Sequence, residues 1–322
     1  MKLYPLKFKP ILKERLWGGT KLKEVLGKPS ENDITGESWE LSGVQGDISI
    51  VANGPLSGTS LQEIIDQRPK ELLGKGVLDR FGNEFPILIK FIDAKQDLSI
   101  QLHPNDALAR ERHNSFGKTE MWYVMDADKG ANLIVGFNKN VTREEYTQSL
   151  KRDTLLDLLN YEPVKEGDTF FINTGKIHAI GAGVLLAEIQ QTSDVTYRVF
   201  DFNRQDKNGN LRELHTELAL DAMDFDKKDD FKVAYKRHMN TTNTMVESPY
   251  FKTNYIHLTT KANLASAKRD SFTIYMCVGG TAEISSDTGT VVIQKGETTL
   301  IPASSKTINI DTTEVKLLEV TV

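Results

Sequence analysis

EGDTFFINTGKIHAIGAGVLLAEIQ, residues 166–190, holds two β-prone runs, TFFIN at 169–173 and VLLAEIQ at 184–190, separated by glycine-punctuated turns. Phe, Ile, Val and Leu fill the runs, while Gly, Asp and Asn bound them, as short antiparallel strands require. One histidine, His178, lies between them just after a Gly-containing turn. A related rhythm returns near the end of the chain. KGETTLIPASSKTINI at 295–310 repeats the order glycine, acidic residue, strand, turn, and aligning Gly167 with Gly296 sets His178 opposite Thr307. Two copies of one β unit, the second without a metal-ligating side chain, predict two related jelly rolls.

Working outward, ILIKFID (87–93), NLIVGF (132–137), VTYRVFDF (195–202), FTIYMCV (272–278) and TVVIQ (290–294) are further short runs with the same punctuation. The chain therefore reads as mainly β. Helices are fewer. TREEYTQSLKRDTLLDLLN predicts a helix over 142–160, opened by Thr142 and Glu145 in capping-box spacing and striped with Tyr146, Leu150, Leu155 and Leu158. SLQEIIDQRPKELLG at 60–74 starts with the same box, Ser60 and Glu63, and Pro69 breaks it. HTELALDAMD at 215–224 is a third candidate. The charged run DKKDDFKVAYKRHMN at 226–240 sets a boundary near residue 235, giving domains 1–235 and 236–322.

With 39% hydrophobic and 26% charged residues the composition is that of an ordinary soluble globular protein. A formal net charge of -5 offers no reason to expect nucleic acid or an anionic membrane as partner, so an anionic substrate would need a local cluster of Lys and Arg. Cys277 is the one cysteine; no intrachain disulfide can form, a reducing compartment is expected, and its apolar run predicts a buried, inert thiol. No apolar signal-peptide core can be placed in the first residues, and FPILIKFI is too short to span a membrane. A cytoplasmic protein is expected, with no oligomeric state specified and a monomer sufficient.

LSIQLHPND (98–106) puts Gln101 and His103 on one face of a strand. GKTEMWYV (117–124) puts Glu120 at the start of another, and NTGKIHAIG supplies His178. Two imidazoles, a carboxylate and an amide oxygen form the kind of set found in zinc or non-haem iron sites with open positions. Each residue alone also has a plainer reading: a satisfied polar histidine, a salt-bridged glutamate, an ordinary strand glutamine. His113, in RERHNSFG, reads as a surface loop residue without a role.

SIQLHPND, GKTEMWYV and GDTFFINTGKIHAIGAGVLLAEIQQTSDVTYRVFDFNR resemble the motifs of type I phosphomannose isomerases in their short bacterial form. ERLWGG at 14–19 and GESWELS at 36–42 are similar to that family as well, in the family's order. The resemblance implies a cupin-type double-stranded β-helix with a small helical insertion, followed by a second, metal-free cupin-like domain. It implies one zinc per chain on Gln101, His103, Glu120 and His178, and interconversion of mannose 6-phosphate and fructose 6-phosphate by proton transfer between C1 and C2. Asn173 departs from the proline usual in cupin motifs, which bears on turn rigidity more than on the metal.

The same resemblance gives Arg198, Lys118 and Glu188 to the chemistry and Asp194 to the substrate site. Arg198 stands in an apolar strand where a charge without a partner is costly. Lys118 precedes Glu120 by two residues, and Glu188 has the alternative of a solvated strand face. Ser99, two residues before Gln101, together with Lys90 would bind the 6-phosphate, Lys90 reading equally as a structural lysine at a strand end, and Trp17 and Trp39 would wall the sugar or pack in the core. Which group takes the proton is open. A non-haem iron oxygenase and a sugar-phosphate-binding cupin without catalysis are the competing readings.

Overall fold

The computed structural model of the chain describes residues 2–206, 208–229, 231–265 and 270–322. Its first part contains β1 (Ile11–Gly19), β2 (Thr35–Leu41), β3 (Ile87–Ala94), β4 (Ile100–Leu102), β5 (Glu120–Ala127), β6 (Asn132–Phe137), β7 (Leu159–Pro163), β8 (Thr169–Ile172), β9 (His178–Ile180), β10 (Val184–Gln191) and β11 (Tyr197–Phe200). These make two sheets, β1-β2-β3-β10-β5-β8 and β11-β4-β9-β6-β7, in which neighbours run antiparallel.

Strand alternation decides where each side chain goes. In β3, β5 and β10 the set Ile89, Phe91, Met121, Tyr123, Ala187 and Ile189 faces outward into one buried cluster. The alternate set, Ile92, Trp122, Val124 and Leu186, faces inward and packs on Leu133, Val135 and Ile180 of the five-stranded sheet. The outer side of that second sheet is covered through Tyr146 of the helix Arg143–Lys151 and Ala219 of the helix Thr216–Ala222. At one end of the sandwich the inward set turns polar, with Lys90, Glu120 and Glu188 from one sheet facing Gln101 and His178 from the other.

The second part contains β12 (Thr242–Glu247), β13 (Lys252–Leu258), β14 (Ala262–Ala265), β15 (Thr273–Ser286), β16 (Gly289–Gln294), β17 (Thr298–Ile301) and β18 (Thr307–Thr321). β15 and β18 pair from Ile274↔Val320 to Ser286↔Ile308, with register shifts at Cys277/Gly279 and Thr281/Glu283. Such bulges bend a ribbon and let two long strands serve both faces of a sandwich. Its interior is filled by Ile256, Tyr275, Cys277, Ile284, Ile293 and Leu317. Cys277 is buried, as read from the sequence, and burial pushes its thiol up to about 12. The architecture is mainly β with a second cupin-like domain, as expected.

The outward cluster of the first part is continuous with Tyr255, Ile274 and Leu318 of the second, so the two halves share a core. Residues 3–8 are stitched into it: Leu6 and Leu300 exchange N–H···O bonds of 2.8 and 2.9 Å, and Lys7 pairs with Glu297 at 2.7 Å. No helix among the described residues is long and apolar enough to cross a membrane.

Some local expectations change. The helix expected over 142–160 stops at Lys151; Asp153 adopts φ 56°, Leu155–Leu158 forms a single 3-10 turn, and Leu159 opens β7. Leu155 and Leu158 of the stripe are buried and Leu150 partly so, but a left-handed residue ends the helix before Leu155. Ser60 and Glu63 form both bonds of the capping box, whereas Thr142 accepts from the Glu145 N–H while the Glu145 carboxylate pairs with Lys139. Pro69 separates helices Leu61–Gln67 and Pro69–Leu73, as read. His113 is not in a loop: it ends the helix Asp106–His113, and its Nε2 lies 2.9 Å from the Tyr197 hydroxyl.

Candidate metal centre and active-site cleft

His178 opens β9 directly after the turn at Thr174–Gly175, and its backbone pairs with Gln101 of β4. His103 follows β4 by one residue, and Glu120 opens β5 on the opposing sheet. The fold brings these distant positions together. The His178 Nε2 lies 3.4 Å from Glu120 Oε1, and the His103 Nε2 lies 3.6 Å from Glu120 Oε2. All three side chains are 0–1% exposed.

The second nitrogen of each ring is fixed by backbone. His103 Nδ1 is 2.9 Å from the Val195 carbonyl and His178 Nδ1 is 2.8 Å from the Lys176 carbonyl. A carbonyl only accepts, so each Nδ1 carries the proton and each Nε2 presents a lone pair to the centre. Burial, then the Lys118 and His178 charges, keeps the His103 ring well below the usual imidazole range. Burial likewise brings His178 down to about 4. Burial first, and then the nearby Glu188 charge, raises the Glu120 carboxyl to about 8.

The four atoms His103 Nε2, His178 Nε2, Glu120 Oε1 and Glu120 Oε2 are buried without a hydrogen-bond partner. Buried lone pairs facing one another are costly unless something electron-poor sits between them. Two ligands each ~2.1 Å from a tetrahedral ion lie roughly 3.4 Å apart. The observed separations fit that spacing, and the ligand atoms all lie within 4.8 Å of one another. The residues present therefore fit a divalent cation. Gln101 is half-buried beside them.

Above the centre opens a cleft of about 540 Å³. Trp17, Lys90, Ser99, Gln101, Lys118, Asp194 and Arg198, all singled out in the sequence, line it together with Trp39. Directly opposite residues on antiparallel strands share a face, and the register Arg198↔Gln101↔His178 makes one row across the five-stranded sheet. Trp39↔Lys90↔Glu188↔Trp122 makes the matching row on the six-stranded sheet. Lys118 Nζ stands 3.7 Å from Glu120 Oε2.

Glu188 is not on a solvated face. It is 3% exposed, pairs with Lys90 at 3.0 Å and accepts the Trp122 indole N–H at 2.9 Å. Burial opposes its ionisation, but Lys90 and Lys118 outweigh burial and keep it a carboxylate. Lys90 is not at a strand end: it is buried in the middle of β3, with its Nζ 5.2 Å from the Trp39 ring centroid. Sequence reasoning overlooked Glu37, which accepts from Arg15 at 3.0 Å and from the Trp39 indole at 2.7 Å. Its two-residue spacing from Trp39 was the available signal. It also overlooked Arg212, which reaches the cleft from a loop with no periodicity to read.

Comparisons with known proteins place the chain and its fold among phosphomannose isomerases. Residues 5–136 match the family model for the catalytic domain of type I phosphomannose isomerase, and residues 241–322 match that for the mannose-6-phosphate isomerase cupin domain. Mannose-6-phosphate isomerase ManA of Bacillus subtilis is 37% identical over 301 residues, covering 92% of this chain and 93% of that protein. Mannose-6-phosphate isomerase of Streptococcus mutans is 37% identical over 248 residues, 77% of each. The crystal structure of the mannose 6-phosphate isomerase from Bacillus subtilis superposes with a TM-score of 0.89 at 31% identity, covering 99% of this chain and 100% of that one.

Proposed function

The chain belongs to the type I phosphomannose isomerase family, and on that premise we propose that it is a zinc-dependent mannose-6-phosphate isomerase acting in the cytoplasm. The observation that carries the metal is the convergence of four partnerless buried atoms on His103, Glu120 and His178 beneath the cleft. We assign these three residues, with Gln101 beside them, to hold one zinc ion. Bound there, zinc would supply Lewis acidity toward the sugar oxygens O1 and O2 and so favour the enediolate.

The chain's own residues do the rest. Lys118, beside Glu120, brings positive charge to the cleft where negative charge develops on the substrate, and we assign proton transfer between C1 and C2 and its stabilisation to it, while Arg198 holds the substrate's oxyanion. Glu188 acts from beneath, holding Lys90 charged and fixing Trp122. Trp17 and Trp39 wall the sugar. Asp194, exposed at the rim, is an acceptor for sugar hydroxyls, and Ser99 is a donor at the phosphate end. The reading keeps two units, a catalytic one over 1–235 and a cupin-like one over 236–322, with residues 3–8 packed against the second.

A coupled assay with mannose 6-phosphate, before and after chelation and zinc return, tests this reading. Activity should vanish on chelation and come back with zinc. Full turnover in metal-free protein would reject it, and recovery with iron accompanied by oxygen uptake would favour an oxygenase.

A further inference from the structure

Arg212 has no part in the assignments above, yet its side chain lines the same cleft. Asp201, 6% exposed, accepts Arg212 Nε at 2.6 Å and also accepts its Nη2. This two-point, side-on grip fixes the plane of the guanidinium and turns its other edge outward. The loop carrying it is pinned at both ends. The Arg198 N–H donates to His215 Nδ1 at 3.2 Å, the His215 N–H donates to the Arg198 carbonyl at 2.7 Å, and the Gln205↔Leu211 bridge closes the middle.

Beside it, Arg198 donates Nε to Ser99 Oγ at 3.3 Å and Nη1 to the Glu213 carbonyl at 2.9 Å. Ser99, accepting there, keeps its own proton to donate. The other cations of the cleft are engaged by carboxylates: Arg15 by Glu37, Lys90 by Glu188, and Lys118 beside Glu120. Burial lowers the Arg198 pKa, and the charge of Arg212 lowers it further, so the two guanidiniums are close enough to repel. An anion between them relieves that repulsion.

The spacing also suits the substrate. Ser99 precedes Gln101 by two residues, about 7 Å along an extended chain, and Gln101 is the register partner of His178. A sugar with one end at the metal centre therefore brings its far end to Ser99 and the two arginines. A phosphate monoester is largely dianionic at neutral pH and offers three acceptor oxygens.

We propose that Arg212, oriented by Asp201, anchors the phosphate of the substrate in an oxyanion subsite completed by Arg198 and Ser99. The proposal rests on the sugar-phosphate reading above. Steady-state kinetics of Arg212→Gln, with inorganic phosphate as a competitive probe, tests it. KM for mannose 6-phosphate should rise about tenfold or more, and inhibition by phosphate should weaken in the same proportion. kcat and bound metal should stay near wild type. Because the single change leaves Asp201 buried alone, the double variant Asp201→Asn with Arg212→Gln is measured alongside and should behave the same way. Unchanged KM and phosphate inhibition in either folded variant, or a fall in kcat with KM untouched, would overturn the proposal. Calorimetry with phosphate separates it from the functional reading. Phosphate bound by wild type and lost in the double variant supports the subsite even in a protein that does not turn over mannose 6-phosphate, and no binding to wild type rejects it.

Discussion

Gly167 adopts φ 85°, the strand Thr169–Ile172 follows it, and His178 opens the next strand. In the second half Gly296 adopts φ 89°, the strand Thr298–Ile301 follows at the same spacing, and Thr307 opens the next strand. Left-handed φ is where glycine is favoured, so both turns rest on the same residue for the same reason. The interiors nonetheless diverge. His178 is fully buried, and the polar end of its sandwich holds Lys90, Glu120 and Glu188, whereas Thr307 is exposed and the buried set of its sandwich is Ile256, Tyr275, Ile284 and Leu317. One turn-and-strand unit thus supports either an interior where charged groups converge or one that is chiefly hydrocarbon, in which the buried Glu319 carboxylate accepts from Tyr275 and Asn254. The inward positions of the strands, not the backbone plan, decide which.

The contrast breaks most sharply at His178. Replacing it with Ala should cost about 10²–10³-fold or more in turnover and release the metal while leaving the fold intact, read by metal analysis, coupled assay and circular dichroism. Wild-type metal content in that variant would contradict the assignment. Next comes Lys90→Met, which strands the buried Glu188 carboxylate; a loss of about 3–5 kcal/mol is expected in urea unfolding. In the hydrocarbon interior, Leu317→Ala should cost about 2–5 kcal/mol through transfer and cavity terms, with metal content and kcat unchanged.

Acid should separate the two interiors as well. Burial opposes ionisation of Glu37, but Lys90, Arg15 and the Trp39 indole hold its carboxyl at about 2, against 4.5 ordinarily. A depressed folded value stabilises above pH 4.5 and loses that contribution as pH falls toward 2. It amounts to roughly 3 kcal/mol, and Glu37→Gln should flatten the acid limb of stability by a comparable amount. An unchanged limb would mean that Glu37 is not held as described. The smallest effect is expected from Thr307→His: an exposed side chain without facing ligands should leave metal stoichiometry where it was. A second bound equivalent would show the two units to be closer than their interiors suggest.

Strand positions and the members of the His103, Glu120 and His178 cluster were largely legible because both rest on short-range signals. β-Prone runs bounded by turn residues mark β3, β6, β10 and β16 to within a residue or two, and His103, Glu120 and His178 each sit in a recognisable local motif. The pairings that give the site its electrostatics were not. Lys90 with Glu188, or Arg212 with Asp201, depends on strand register and loop closure, which no local pattern encodes. The helix expected over 142–160 failed for a related reason. Leu155, Leu158 and Leu159 are buried, but from a turn and a strand, and the left-handed Asp153 that ends the helix has no hydrophobic signature.

The bond between the Thr299 hydroxyl and the Leu6 carbonyl links residues 293 positions apart. At about 5–20 residues per second on the ribosome, residues 3–8 would wait roughly 15–60 s for the partner that completes their pairing. Until then Leu6 lacks its Leu300 partner, although Lys7 and Phe8 can already pair with Ala52 and Val51. That leaves the Leu6 pairing among the last to settle, and makes the nascent polypeptide a client for a chaperone during that interval.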